Sequence, residues 1–117
     1  MAEAFVKLRT GANGKTRKVL IPAAHMLDEF VRRLPFGQAS DIAAMKKQFA
    51  RSAGADLTCP VTTRLHLHTL CESAMQAHSD GAEIAPIWRL IGADDSTAKK
   101  VPGAPELIRA MRARELI

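Results

Sequence analysis

The side chains able to carry chemistry are few. Two cysteines, Cys59 and Cys71, could supply a thiolate, and His66 and His68 could supply a base or a metal ligand. The cysteines form no CxxC pair and lack zinc-ribbon spacing. On a helix, two residues apart means ~200° around the axis, so His66 and His68 would share a ligand face only in a strand. Cys71 falls at a helical core spacing and is expected to pack as a small hydrophobe. Cys59, before Pro60, is a candidate thiol, although no neighbouring cation in the sequence activates it. Asp94-Asp95, followed by Ser96 and Thr97, and the more distant Glu83 make a solvated turn better than an acid–base pair. Walker, GxGxxG, GxSxG and HExxH motifs do not occur. These residues imply no metal site and no cofactor.

The elements that must hold these groups are mainly helical by pattern. The chain has 117 residues, 47% of them apolar, with four Phe, one Trp and no Tyr. A core of that composition rests on Leu, Ile, Val, Met and Ala, which suits helices. Pro22 opens a helix with its apolar stripe at Met26, Leu27, Phe30, Val31 and Leu34, stopped by Pro35 and Gly37. Ser40 and Asp41 can cap a second, with Ile42, Met45, Phe49 and Ala53 inward, Lys46, Lys47 and Arg51 outward, and Gly54 past its end. A third starts between Thr58 and Pro60 and runs to about His78; its 3.6-residue period outweighs the local alternation of Leu65-His66-Leu67-His68. Ile84 to Ile91 is expected as a short buried extended segment, residues 92–104 as a loop, and Pro105 as the opening of a last helix carrying Leu107, Ile108 and Met111.

Charge is concentrated at the start. Residues 1–20 hold Lys7, Arg9, Lys15, Arg17 and Lys18 against Glu3, within a formal net charge of +5. This is a basic arm, residues 1–24, with a tail or a short hairpin at Asn13-Gly14 as its alternative forms. The basic balance favours a polyanionic partner. No run approaches the ~20 apolar residues of a membrane span, and no apolar leader is evident. The expectation is a monomer in a reducing, cytoplasmic setting, away from the membrane.

Between residues 34 and 91 the order of features is specific. Leu34-Pro35-Phe36-Gly37 precedes a helix, Thr58-Cys59-Pro60 leads into Pro60-Val61-Thr62-Thr63-Arg64, and Ile84-Ala85-Pro86-Ile87-Trp88-Arg89-Leu90-Ile91 precedes a polar loop and a basic helix. Residues 25–117 resemble the DNA-binding domain of alkylguanine-DNA alkyltransferases, in the alkyltransferase-like branch. The resemblance implies a mainly α, winged-helix or helix-turn-helix-like small domain with at most short strands. It implies a recognition helix in the minor groove of double-stranded DNA, with Arg64 as the finger that replaces an extruded nucleotide.

The same resemblance places Thr62, Thr63, Lys46 and Lys47 against phosphates. It places Ile42, Pro86, Ile87, Trp88 and Arg89 around a base pocket, Trp88 stacking on the flipped base. The family's nucleophilic Cys and its His partner correspond to Ile87 and Trp88, and neither an aliphatic chain nor an indole can do that chemistry. The position of a phosphate-rotating Tyr falls at or beside Ile42. The expectation is therefore a DNA-binding protein, not an enzyme, that senses alkylated or distorted bases without transferring the alkyl group, with a repair-protein partner left open. The competing readings are a protein-interaction domain that kept the fold, and a methyltransferase using Cys59 or Cys71.

Overall fold

A computed structural model describes residues 3–117; the first two residues of the basic arm lie outside them. The described chain is a mixed α/β domain of five helices and a small three-stranded sheet, so helix predominates as expected while the strands are more than incidental. Strands β1 (Phe5–Thr10) and β2 (Thr16–Ile21) form an antiparallel hairpin with Phe5 opposite Ile21 and Thr10 opposite Thr16. Its turn is closed by Gly11 N–H on the Lys15 carbonyl at 2.9 Å and by Lys15 N–H on Asn13 Oδ1 at 3.1 Å. Gly14 takes φ +78°, which a side chain would oppose.

The hairpin is not an arm separate from the domain. β3 (Leu57–Thr58) pairs in parallel with β2, Val19 opposite Leu57 and Leu20 opposite Thr58, giving the order β1-β2-β3. Asp56 N–H donates to the Lys18 carbonyl, and Asp56 Oδ2 accepts from Lys18 N–H, both at 2.8 Å. Val19 and Leu20 are buried, and Leu20 belongs to the main core. No seam therefore falls at residue 24. The alternation that signals a strand was present in the basic arm, but cations on exposed positions masked it.

Helix α1 (Ala24–Arg33) buries Leu27 and Val31 completely. Helix α2 (Ile42–Ala53) starts at Asp41, whose side chain accepts from Ala44 N–H at 2.7 Å, and stops at Gly54 with φ +66°. It buries Met45, Phe49 and Ala50, and the Phe49 ring meets Phe30 edge-on at 5.9 Å. The expected inward Ala53 is exposed. Helix α3 (Pro60–Ser79) is the longest element, so helical period prevails over the Leu65–His68 alternation. It buries Leu67, Leu70, Cys71 and Ala74.

The stretch expected to be extended instead ends in a 3-10 turn, Ile87–Arg89, with Ile91 N–H on the Ile87 carbonyl at 3.0 Å. Within the expected loop, Asp95 caps a one-turn helix α4 (Ser96–Lys99) by accepting from Thr97 N–H at 2.8 Å. Helix α5 (Ala104–Glu115) closes the core with Leu107 and Ile108. The chief neighbours of α3 are α1 and α4, while α2 packs chiefly on β2 and β3. β3 lies in the connection between α2 and α3, and side chains of both helices, Met45 and Phe49 with Leu67 and Leu70, enter the same core. Among the described residues, no helix is long and apolar enough to cross a membrane.

Candidate nucleic-acid interface

The first turns of α3 are shaped by what precedes them. Cys59 N–H donates to the Leu20 carbonyl at 2.8 Å, which anchors the helix start to the sheet. Pro60 occupies the first turn, where its missing N–H costs nothing. From there the 3.6-residue period turns Thr63 and Leu67 fully inward and leaves Val61 (76% exposed) and Leu65 (63% exposed) outward. Arg64 lies between them with its side chain 45% exposed.

Arg64 is not an unattached finger. Its Nη1 donates to Asp95 Oδ1 at 2.9 Å and to Thr97 Oγ1 at 3.1 Å, so the guanidinium lies across the cap of α4. Thr63 is no phosphate donor: it is fully buried, and its hydroxyl donates to the Cys59 carbonyl at 2.7 Å. The Thr62 hydroxyl is half-buried and donates to Cys59 Sγ at 3.4 Å. Lys46 and Lys47 flank a shallow depression that also includes Asp56, Leu57 and Thr58. The Lys46 carbonyl accepts from the Thr58 hydroxyl at 2.8 Å, so this end of α2 is tied to β3.

The expected base pocket does not assemble as one cavity. Ile87 is fully buried in the core. Ile42 is half-buried on α2 and packed against that core, and it does not line the depression that Pro86, Trp88 and Arg89 share. Pro86, Trp88 and Arg89 do line an open depression of about 370 Å³, with Arg32, Glu83 and Ile84. Trp88 offers that depression little surface, being 4% exposed.

What holds Trp88 is Glu115, a residue that sequence reasoning missed. Glu115 is buried at the end of α5. One carboxylate oxygen accepts from Gly37 N–H at 2.8 Å and Arg89 Nε at 2.9 Å. The other accepts from Trp88 Nε1 and from Arg89 Nη2 at 3.0 Å. Arg89 Nη1 also reaches the Leu34 carbonyl at 2.9 Å. Hydrogen bonding from Arg89 is the main cause that holds the Glu115 carboxyl down at about 2; burial opposes it, and Gly37, Trp88 and the Arg89 charge add to it. Glu115 continues the inward spacing of Leu107, Ile108 and Met111, but its charge marked it as a surface residue, because its partners lie far away along the chain.

The two thiols differ. Burial pushes Cys71 up to about 12, with Asp95 and Glu72 adding to it. Burial also raises Cys59, but hydrogen bonds from the Thr62 side chain and from the Thr62 and Val61 backbone, with the charge of Arg9, outweigh it. The net shift of Cys59 is downward. The imidazoles diverge: His66 Nε2 lies 3.0 Å from the Pro22 carbonyl, while His68 Nε2 lies 3.4 Å from Glu72. Compared with protein-family models, curated proteins and solved structures, the chain matches none.

Proposed function

We propose that the protein is a DNA-binding module that meets double-stranded DNA with the outer face of the first turns of α3, resembling alkyltransferase-like proteins in this use. The observation that carries the reading is the exposed row Val61, Arg64, Leu65 at a helix start. An arginine beside exposed apolar side chains suits minor-groove entry, where a guanidinium reads the groove and apolar groups press on base steps. The backbone N–H groups of this helix start are turned onto Cys59, so the phosphate contacts of this reading fall to side chains. Lys46 and Lys47 add charge on α2. Alkyl transfer is not part of the proposal, since Ile87 presents no nucleophile and is sealed in the core. On this reading the protein works as a monomer in a reducing compartment, and alkylated or distorted duplex is its preferred partner.

The lowered thiol of Cys59 supports one second reading, a thiol methyltransferase, although that thiol is only 4% exposed. Intact mass after incubation with alkylated duplex tests it: a gain of one alkyl group that Cys59→Ser abolishes would establish transfer.

The binding test is fluorescence anisotropy of a labelled duplex, because Trp88 is buried and bonded to Glu115 and offers a bound duplex little surface. Salt-sensitive binding is expected, weakened about tenfold or more by Arg64→Ala. Asp95→Asn should raise affinity severalfold, since Asn can still cap Thr97 while releasing Arg64. Absence of binding to plain and alkylated duplex at low salt, or an unchanged affinity in Arg64→Ala, would overturn the proposal.

A further inference from the structure

The hairpin spends stability on an arrangement that its own fold does not need. In its register Arg9 stands directly opposite Arg17 on one face of the ribbon, with Lys7 on the same side of β1. Like charges directly opposite one another in a sheet are unfavourable. Among the described residues, Lys7, Arg9, Lys15, Arg17 and Lys18 make no salt bridge to any carboxylate. All six residues of β1 are exposed, so the charged ends of Lys7 and Arg9 stand in solvent.

These cations surround a depression. Arg9, Lys15 and Arg17 line an open concavity of about 570 Å³ with Val19 and Leu57 on its floor and the backbone of the turn along its rim. Leu57 also lines the depression flanked by Lys46 and Lys47. Basic side chains from the hairpin and from α2 therefore stand on either side of one β3 residue. Leu57, on the floor below Arg9 and Arg17, pairs with Val19 and lies two residues before Cys59, which caps α3. The hairpin charge thus adjoins the helix start that carries Arg64.

We propose that the Arg9–Arg17 face of the β1–β2 ribbon is a second docking surface for the phosphate backbone of duplex DNA, so that the duplex is held between the hairpin and α3. This rests on the reading of α3 given above. A row of unpaired cations continuous with that helix start fits a polyanion that extends past a single groove contact. A discrete small anion would need only part of the row. Each phosphate neutralised releases counterion, so the hairpin contributes mainly salt-dependent affinity and little sequence preference.

The test compares wild type with Arg9→Gln/Arg17→Gln, Arg9→Lys/Arg17→Lys and Arg64→Ala, by anisotropy of a short plain duplex over a salt series. The Gln pair should lower the log–log salt slope by about 2. Affinity at the low-salt end should fall about tenfold or more, and the Lys pair should keep the wild-type slope. The Gln pair should also melt at an equal or slightly higher temperature, because the opposed charges are gone. Weaker binding with undiminished stability is an outcome that a merely structural role would not give. An unchanged slope in the Gln pair, with wild type still bound through Arg64, overturns the hairpin site and leaves the α3 reading standing. No binding by wild type overturns both. Tighter binding of the hairpin to anionic vesicles than to duplex, lost in the Gln pair, assigns the face to lipid and overturns the proposal as well.

Discussion

Glu115→Gln isolates the interaction that locks the C-terminal helix onto the rest of the domain. The wild-type carboxylate offers two acceptor oxygens to donors from Gly37, Trp88 and Arg89. Gln keeps the shape but offers one oxygen, and its NH2 group must face N–H donors on the other side. The Arg89 guanidinium, 15% exposed, then loses its only carboxylate partner among the described residues. A carboxyl held down to about 2 from an ordinary 4.5 corresponds to roughly 3 kcal/mol of stabilisation of the charged form. That agrees with the ~3–5 kcal/mol typical of breaking one side of a buried pair. The expected loss is about 3 kcal/mol, or on the order of 10 °C in melting temperature for a domain of this size.

The pH dependence supplies an independent reading of the same number. Because the folded-state pKa of Glu115 is depressed, its contribution is fully present above about 4.5 and is lost as pH falls through about 2. Wild type should therefore lose this ~3 kcal/mol across that window, whereas Glu115→Gln should begin lower and lack that part of the acid limb. Urea unfolding followed by Trp88 fluorescence and far-UV circular dichroism at a series of pH values measures both. Trp88 is the only tryptophan, and its indole N–H lies on the group being changed. A variant as stable as wild type at neutral pH, with the same acid limb, would refute the account of Glu115 as the charge that joins α5 to the Leu34–Gly37 turn.

Three further outcomes follow from the same geometry. Thr63→Val should cost about 1 kcal/mol through loss of the bond to the Cys59 carbonyl, and should leave duplex affinity unchanged; weakened binding at full stability would return Thr63 to the interface. Ile87→Cys should not create a methyl acceptor, since the site is sealed and Trp88 offers no base, and intact mass after incubation with alkylated duplex would detect a single transfer if it did. A thiol-reactive reagent should modify Cys59 before Cys71, whose thiol is pushed up to about 12 and fully buried; equal rates in the native protein would contradict the contrast.

Helix positions were legible because their signals are local. Asp41 and Gly54 bound α2 by chemistry acting within a turn, and the stripes of α1 and α3 follow from burial at a 3.6-residue period. Where partners come from distant parts of the chain, the sequence was silent. β3 is two residues long and exists only because β2 lies beside it. Ile84 to Ile91 looked like a strand because it is apolar, but Ile87 and Trp88 are buried by a tight turn with no neighbouring strand to pair with. Glu115 depends on residues 26, 27 and 78 positions away along the chain, which no local window can join.

The same distinction governs the candidate interface. The family resemblance singled out Arg64 and Thr63 together, yet the helix sends them to opposite fates, one exposed and one sealed. Only a contact distant in sequence, Asp95, reveals that Arg64 is already occupied. That contact does not defeat the proposed role. An ion pair whose arginine is nearly half exposed contributes about 0–1 kcal/mol, and a phosphate offers the guanidinium at least as good a partner. The exchange from Asp95 to DNA therefore costs little, while the Asp95 side chain retains its hydrogen bond from Thr97 N–H and keeps α4 capped. Arg64 can be held in place before binding and released on contact, without any element of the fold having to move.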